Sequence, residues 1–241
     1  MLTYLRLEVL RTLRAPAFLG YTIVFPAAFY LMFTTVFNRG GTVAGTSGAA
    51  YLMASMALYG VVIAALPGFG ARIALERTKG WTRQLALSPM RPGTYLAIKL
   101  GAASVLTVPA ILAILLLGRL VNNVQLPIGR WIGLAALLWL ASIPFVALGI
   151  VIGYTFRDEV AQGVSMVCLF SLSILGGLWM PVAAFPDWLA KVAQVLPTYR
   201  AGELGWAVVG GAHLSGTGIG ILAAWTVGFA VLAAWRFRRA S

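Results

Sequence analysis

The sequence predicts an all-α integral membrane protein with six transmembrane helices. Of its 241 residues, 61% are hydrophobic and only 10% are charged, whereas soluble domains carry about 25% charged residues. The apolar residues gather in runs of roughly 20, the length that an α-helix needs to cross about 30 Å of hydrocarbon. Because these runs lack the alternating polarity of spanning β-strands, we expect helices, arranged as a single transmembrane domain, 1–241.

The first element is a predicted interfacial helix at residues 1–15. Arg6 and Arg14 lie away from an apolar helical face, which is typical of an amphipathic helix lying in the membrane interface. The alternative is an unstructured basic start. The apolar face consists of Leu2, Leu5, Val9 and Leu13.

Six apolar runs predict the transmembrane helices. The first run has 21 residues, which is longer than the roughly 7–15 apolar residues of a signal peptide, so we expect it to remain as a span. Four prolines lie within or near the runs, and membrane helices tolerate them with local kinks. The runs cover about 17–37, 50–71, 95–118, 131–154, 160–180 and 216–235, and the prolines are Pro26, Pro67, Pro109 and Pro144.

Lys and Arg are distributed unevenly between the two sides of this topology. Thirteen of the 18 basic residues fall on the side of the N-terminus, and cytoplasmic loops carry such an excess. We therefore expect both termini in the cytoplasm. This bias explains the net charge of +12, so we expect contact with membrane lipid and no nucleic-acid partner. The other five basic residues are Arg39, Arg119, Arg130, Lys191 and Arg200.

A short helix is predicted within the segment 178–205, between the last two spans. Pro186-Asp187 can start this helix, since proline suits a first helical turn, and Pro197 can end it. Aromatic residues there suit the membrane–water boundary, so we expect the helix to lie at the outer leaflet or to dip into it. These aromatic residues are Trp179, Trp188 and Tyr199.

The sequence holds few groups for chemistry. No Gly-Lys pair occurs, so the phosphate-binding loop of P-loop ATPases is absent, and the chain is not expected to be an enzyme. All six acidic residues fall outside the cores of the predicted spans, where proton- or sodium-driven carriers usually place an ionisable group. Cys168 and His213 are the only residues of their types, so we expect no metal site and no cofactor bound by this chain.

The loop between the second and third spans has an unusual composition. Gly80 interrupts it, and Ser88-Pro89 ends it, because the residue before a proline disfavours helix. A short helix that enters a cleft on a partner protein is one interpretation, and a basic interfacial loop without a partner is the other. The charged residues of the loop are Glu76, Arg77, Lys79 and Arg83, and its apolar residues include Trp81, Leu85 and Leu87.

The stretch LERTKGWTRQLALSPMRPGTYLAIKL resembles the loop between the second and third spans of ABC-2 type transporter permeases. In that family the loop docks onto the nucleotide-binding subunit, so the resemblance implies a coupling role for the matching residues and for the neighbouring Trp81 and Arg83. The chain departs from the family at Trp81-Thr82, where a small and an apolar residue are usual, and at Arg83, near which a Glu is common. The matching residues are Glu76, Arg77, Lys79, Gly80, Leu85, Ser88, Pro89 and Lys99.

A second stretch, GGLWMPVAAFPDWLAKVAQVLPTYRAGE, resembles the segment that follows the fifth span in the same family. The resemblance implies an external re-entrant segment with short helices. Since the six spans and the interfacial helix also agree, the resemblance covers the whole chain. The matching residues are Gly177, Pro181, Pro186, Trp188, Leu189, Pro197, Tyr199 and Glu203.

The resemblance implies the permease subunit of an ATP-driven exporter in a bacterial cytoplasmic membrane. A separate ATPase subunit would bind ATP and Mg, and two copies of this chain would pair around the substrate path. Family members typically export drugs, antibiotics, polysaccharides or lipid-like molecules. Two other classes stay open. A carrier or channel without an ATPase would be indicated by a buried acid or an inverted repeat, and a membrane enzyme or scaffold by a polar cluster inside the membrane.

Overall fold

The structure is a computed structural model that describes residues 18, 20–37, 42–43, 45–79 and 92–240. Its helices run in chain order as a π-helical turn Gly20–Val24, α1 (Phe25–Phe37), α2 (Gly48–Ile63), a π-helical segment Ala64–Gly70, α3 (Ala71–Thr78), α4 (Pro92–Leu120), α5 (Ile128–Leu140), α6 (Ser142–Thr155), α7 (Asp158–Leu175), a 3-10 turn Val182–Ala184, α8 (Asp187–Ala193), α9 (Pro197–Gly210) and α10 (Gly216–Ala240). Two short strands, β1 (Thr42–Val43) and β2 (Thr46–Ser47), pair antiparallel between α1 and α2.

Five helices in the described ranges are long and apolar enough to cross a membrane, which confirms the predicted all-α membrane class. The helix at the first predicted span, Gly20–Val36, is apolar but shorter than these five. The count of six spans therefore stays a prediction, and the predicted interfacial helix at 1–15 lies outside the described residues. The five candidate spans are Gly48–Thr78, Leu100–Leu120, Ile128–Thr155, Asp158–Leu175 and Gly216–Phe237.

The centre of the bundle is a continuous helix of 31 residues, Gly48–Thr78, formed by α2, the π-helical segment and α3. All α2 residues from Ala49 onward are buried, as expected of a helix that is apolar on every face. Ser47 caps its start, with its Oγ accepting a hydrogen bond from the Ala50 amide at 3.3 Å. Pro67 lies in the π-helical segment, where its missing N–H interrupts the regular hydrogen-bond pattern.

The predicted span 131–154 is divided into two helices, α5 and α6, which meet at Ala141. Pro144 accounts for the division, because a proline ring offers no N–H and clashes with the carbonyl four residues earlier, here that of Leu140. The α5 helix accordingly ends at Leu140. Pro109, in contrast, is accommodated within the uninterrupted α4, so the two prolines have different local consequences.

The predicted span 160–180 ends earlier than expected, because α7 ends at Leu175. Gly177 has a φ of +75°, a backbone conformation that favours glycine. The Leu178 amide donates to the Ser173 carbonyl at 3.0 Å and the Gly177 amide donates to the Ile174 carbonyl at 3.1 Å. This is the Schellman pattern of helix termination, and it turns the chain back toward the bundle.

The segment after this turn holds two helices, α8 and α9, where short external helices were predicted. The predicted start of a helix at Asp187 is confirmed by α8, which ends at Ala193. Pro197 was expected to be a stop, and it is instead the first residue of α9. Proline suits that position because the first helical N–H groups have no intrahelical partner. The α9 helix ends at Gly210, and the next residue, Gly211, has a φ of +73°.

Glycines let the backbone of α6 lie in direct contact with the backbone of the central helix. A Cβ at Gly70 would lie 2.7 Å from the Gly149 carbonyl oxygen, and a Cβ at Gly153 would lie 2.6 Å from the Gly70 carbonyl oxygen. A Cβ at Gly149 would collide with the Ala65 carbonyl. Small residues of this kind allow close packing of membrane helices, and here they fix α6 against the π-helical segment.

Candidate functional site

One end of the bundle, here called the cationic end, collects basic residues from the ends of α3 and α10 and from the turn between α6 and α7. The opposite end, the hairpin end, carries the β1–β2 pair and the turn between α4 and α5. Among the described residues, the cationic end holds Arg72, Arg77, Lys79, Arg157, Arg236 and Arg239, and the hairpin end holds Arg119, Arg130, Lys191 and Arg200.

Arg77 connects three helix ends at the cationic end. Its Nη1 donates to the Gly153 carbonyl oxygen at 2.7 Å, and its guanidinium carbon lies 5.2 Å from the centre of the Tyr154 ring. The Tyr154 ring in turn meets the Phe237 ring edge to face, with 5.3 Å between centroids. The last four carbonyls of a helix lack intrahelical partners, so Arg77 satisfies one of them and places a cation at the negative end of the α6 dipole.

The other predicted coupling residues divide into two groups. Glu76 forms an ion pair with Arg72 one turn earlier on α3, with 3.6 Å between Oε1 and Nε, and Lys79 follows the end of that helix and is exposed. The remaining residues lie outside the described ranges, so their docking role stays a prediction. These residues are Gly80, Trp81, Arg83, Leu85, Ser88 and Pro89.

The two helices that flank residues 80–91 are longer than a membrane crossing requires. The central helix has 31 residues and α4 has 29 residues, which correspond to about 46 Å and 43 Å at 1.5 Å per residue. The hydrocarbon core is only about 30 Å thick. Both helices begin or end near the hairpin end, so their excess length extends their other ends, Thr78 and Pro92, beyond a hydrocarbon core of that thickness at the cationic end.

A polar and aromatic contact set at the hairpin end joins the central helix to the turn after α7 and to α9. The Tyr51 hydroxyl donates to the Gly177 carbonyl oxygen at 3.0 Å. The Tyr51 ring stacks on Trp206 with centroids 4.6 Å apart, and the Trp206 Nε1 donates to the Ser55 Oγ at 2.9 Å. Ser55 lies seven residues, or roughly 10 Å, inside the central helix, so α9 is the part of the segment that re-enters the bundle.

The predicted re-entrant residues are placed along this segment with different roles. Gly177 forms the turn, while Pro181, Pro186 and Pro197 each precede or begin a helical piece. The Tyr199 ring meets Trp206 at 5.9 Å. Glu203 pairs with Arg200 at 2.9 Å between Oε2 and Nη1. Trp188, in contrast, is 68% exposed on α8 and stands apart from these residues, and Leu189 beside it is only partly buried.

Burial affects the ionisation of Tyr199, which lies outside the candidate spans. Burial raises the pKa of its hydroxyl, and the neighbouring Glu203 carboxylate raises it further, while the Arg200 guanidinium lowers it. The net direction is upward, so the hydroxyl stays protonated across the physiological range.

Six aromatic side chains from α1, α2, α7 and the turn after α7 form an aromatic cluster. At its centre, the Trp179 ring lies 5.0 Å from Phe29 and 5.6 Å from Tyr59 between centroids. Trp179 packs its half-buried ring against these side chains, and its predicted place at the membrane–water boundary stays a prediction. The members of the cluster are Phe25, Phe29, Phe33, Tyr59, Phe170 and Trp179.

Two polar atoms of the aromatic cluster are buried without a hydrogen-bond partner among the residues that the structure describes. They are the Tyr59 hydroxyl and the Trp179 Nε1. A buried unpaired donor costs roughly 1–3 kcal/mol, so both groups are available to a hydrogen-bond acceptor that enters the cluster. Tyr59 was not singled out from the sequence, although the helical spacing of Phe25, Phe29 and Phe33 was a visible signal for a packed aromatic face.

These features define a multi-pass, helical membrane protein. Most of the polar side chains described above form contacts between its helices. The family model described as "ABC-2 family transporter protein" matches residues 33–235. The chain therefore belongs to the ABC-2 transporter family, as its sequence predicted, and is a membrane transport permease.

A curated relative supports this assignment along nearly the whole chain. It is the Bacillus subtilis (strain 168) protein named "Putative transport permease YvfS". The two sequences are 32% identical over 232 residues, which cover 96% of this chain and 94% of the relative. The likeness therefore includes both the loop at 80–91 and the re-entrant segment.

Proposed function

We propose that this chain is the transmembrane subunit of an ATP-driven exporter, and that a separate ATPase docks on its loop at residues 80–91. The observation that carries the proposal is the excess length of the two flanking helices. Their ends at Thr78 and Pro92 extend roughly 13–16 Å beyond the hydrocarbon, a distance at which a soluble partner can reach them. A basic loop that only tethers the chain to lipid headgroups needs no such extension.

Arg77 supplies the connection from this loop to the rest of the bundle. It lies three residues before the undescribed loop and is bound to the ends of α6 and α10 through Gly153, Tyr154 and Phe237. A displacement of the loop would therefore move the ends of three helices together. The close glycine contacts between α6 and the π-helical segment would pass that movement into the membrane.

Polar residues on the outer face of α7 support pairing with a second copy of the chain. Gln162 and Ser171 are exposed on that helix, at the two edges of its outward side because nine residues place them about half a turn apart. The helix is also the least apolar of the five candidate spans. Polar side chains inside a membrane usually face another helix or a water-filled path rather than lipid. We place the substrate path along this face, in a symmetric dimer with two ATPases.

The segregation of basic residues supports a cytoplasmic location for the cationic end. Single cysteines at Ser88 and Ala190, in a Cys168→Ala background, test this orientation. A membrane-impermeant thiol reagent applied to intact cells should modify the cysteine at 190 and leave the one at 88 unmodified. Labelling of 88 alone would invert the proposed topology.

Copurification tests the coupling to an ATPase. The tagged chain is isolated in mild detergent from its native membranes, together with any nucleotide-binding subunit bound to it. Hydrolysis of ATP should appear only in fractions that contain this subunit. Replacing residues 81–87 by a Gly-Ser linker of equal length should abolish copurification, whereas replacing 121–125 at the opposite end should not. ATP turnover by the purified chain alone would refute the proposal.

A further inference from the structure

We propose that the groove between α4 and α5 at the hairpin end binds one anionic phospholipid, with the headgroup phosphate at Arg119 and an acyl chain along the groove. The groove has a volume of about 500 Å³, which lies within the roughly 300–1,000 Å³ of small-molecule sites. The proposal is independent of how transport is powered.

The walls of the groove match an acyl chain. Ile128 and Ile132 on α5 line the groove and belong to a candidate span. Their side chains are 76% and 64% exposed, so they are free to contact an acyl chain. The floor includes Leu115, which is buried, and Ala135, whose small side chain leaves room. The surface is therefore concave and apolar, so one chain would contact it on several sides.

The groove is charged at one end and apolar along the rest, in the same order as a phospholipid. Along α4 it extends from Leu112 to Arg119, which is about 10 Å at 1.5 Å per residue. Arg119 lies in the last turn of α4, at the level where the helix leaves the membrane, and Trp131 lines the groove beside it, as indole rings do at the headgroup level. The charged end and the apolar end are thus ordered as in a phospholipid.

Arg119 is the charged residue of this lining, and it has no acidic partner within the described ranges. Two other arginines of the hairpin end are engaged elsewhere. Arg200 pairs with Glu203 at 2.9 Å, and the Nη1 of Arg130 donates to the Val209 carbonyl oxygen at 3.4 Å. The Arg119 guanidinium can therefore bind a phosphate with two parallel hydrogen bonds. A net negative headgroup is preferred, because a zwitterionic one also presents a cation to Arg119.

Native mass spectrometry of the purified full chain in detergent tests the headgroup contact. The probes are dioleoyl phosphatidylglycerol and dioleoyl phosphatidylcholine, which have the same acyl chains. The wild type should retain the anionic lipid about five-fold more strongly, the ratio expected for one basic residue at a membrane surface. Arg119→Gln should reduce the ratio to about one. Lys191→Gln, which removes an exposed cation at the same end, should leave it unchanged.

A second pair of variants tests the groove itself. Ala135→Phe fills the groove and should abolish the preferential retention of phosphatidylglycerol, while Ala223→Phe, at an exposed position on α10, should preserve it. Elution volume and helix content confirm that each variant is folded. The proposal is overturned if the wild type shows no preference, if Arg119→Gln keeps it, or if a folded Ala135→Phe variant binds like the wild type. Displacement of the lipid by glycerol phosphate alone would also overturn it, since the acyl chain would then contribute nothing.

Discussion

Substitution of Arg77 by Ala should loosen the cationic end of the bundle. The change removes a charge-assisted hydrogen bond of 2.7 Å to the Gly153 carbonyl, worth about 1.5–3 kcal/mol. It also removes the contact with the Tyr154 ring, worth roughly 0.5–1 kcal/mol where the cation is partly hydrated. Water reaches the carbonyl in part after the substitution, so we expect a net loss of about 2–3 kcal/mol, toward the lower end of the sum.

The assay is thermal unfolding in detergent combined with hydrogen exchange. A loss of that size should lower the apparent Tm by roughly 5–10 °C for a chain of this length. Amides at the ends of α6 and α10 should exchange faster, because Arg77 binds the end of α6 directly and the Tyr154 ring beneath it contacts Phe237 on α10. Arg77→Lys should give an intermediate result, since an ammonium keeps the charge and loses the planar contact.

Lys79→Ala is the matched control, because it removes a cation two residues further along that is exposed. Its apparent Tm should stay within about 1 °C of the wild type, as for most exposed charges. An Arg77→Ala variant with wild-type Tm and wild-type exchange in α6 and α10 would refute the role assigned to Arg77.

Three further predictions concern residues elsewhere in the bundle. Tyr59→Phe should raise or preserve the apparent Tm, because it removes a buried unpaired hydroxyl. Tyr51→Phe should lower the apparent Tm by a few degrees, because it leaves the Gly177 carbonyl unpaired. A change of the same sign in both variants would contradict the assigned contacts. Gly149→Ala should lower the Tm strongly because its Cβ meets the Ala65 carbonyl, while Gly228→Ala, which has open space around it, should be neutral or stabilising. Since the folded-state pKa of Tyr199 is raised above its ordinary value of 10.0, stability should fall as pH rises above about 10, and Tyr199→Phe should reduce that fall in unfolding measurements.

The spans could be predicted from the sequence because length and apolarity are local properties. The apolar runs at 50–71 and 95–118 predict two of the spans, and the structure confirms both as parts of helices, the central helix and α4. The division at Ala141 was also present in the sequence as Pro144, but a proline in a membrane helix can either kink it or be accommodated, as Pro109 is in α4. The local sequence does not distinguish the two cases.

The start of α9 at Pro197 was not predicted, because the contacts that hold this helix in place are not local. Pro197 can end one helix or begin the next, and it begins α9. What holds α9 in place is the contact of Trp206 with Ser55, two residues that are 151 positions apart. A lone serine in an apolar run was the available signal, since buried hydroxyls in membrane helices commonly bind a neighbouring helix.

The coupling site was predicted from charge and resemblance. The contact that joins Arg77 to α6 was not predicted. The sequence places Arg77 among basic neighbours, where a docking role is the simplest interpretation. The structure adds its hydrogen bond to Gly153, 76 residues away. Such a contact depends on how α6 packs against the central helix, which in turn depends on three glycines whose partners cannot be assigned from periodicity.

Photocrosslinking from the loop tests the central claim most directly. A photoreactive amino acid is placed at Trp81 or Leu85 in the loop, or at Gln125 in the turn between α4 and α5 as a control, and native membranes are irradiated. Adducts from 81 and 85 should contain a nucleotide-binding subunit, identified by its Walker A peptide, and the adduct from 125 should not. If 81 and 85 yield only lipid adducts, or crosslink to the same proteins as 125, the loop is not the docking site of an ATPase.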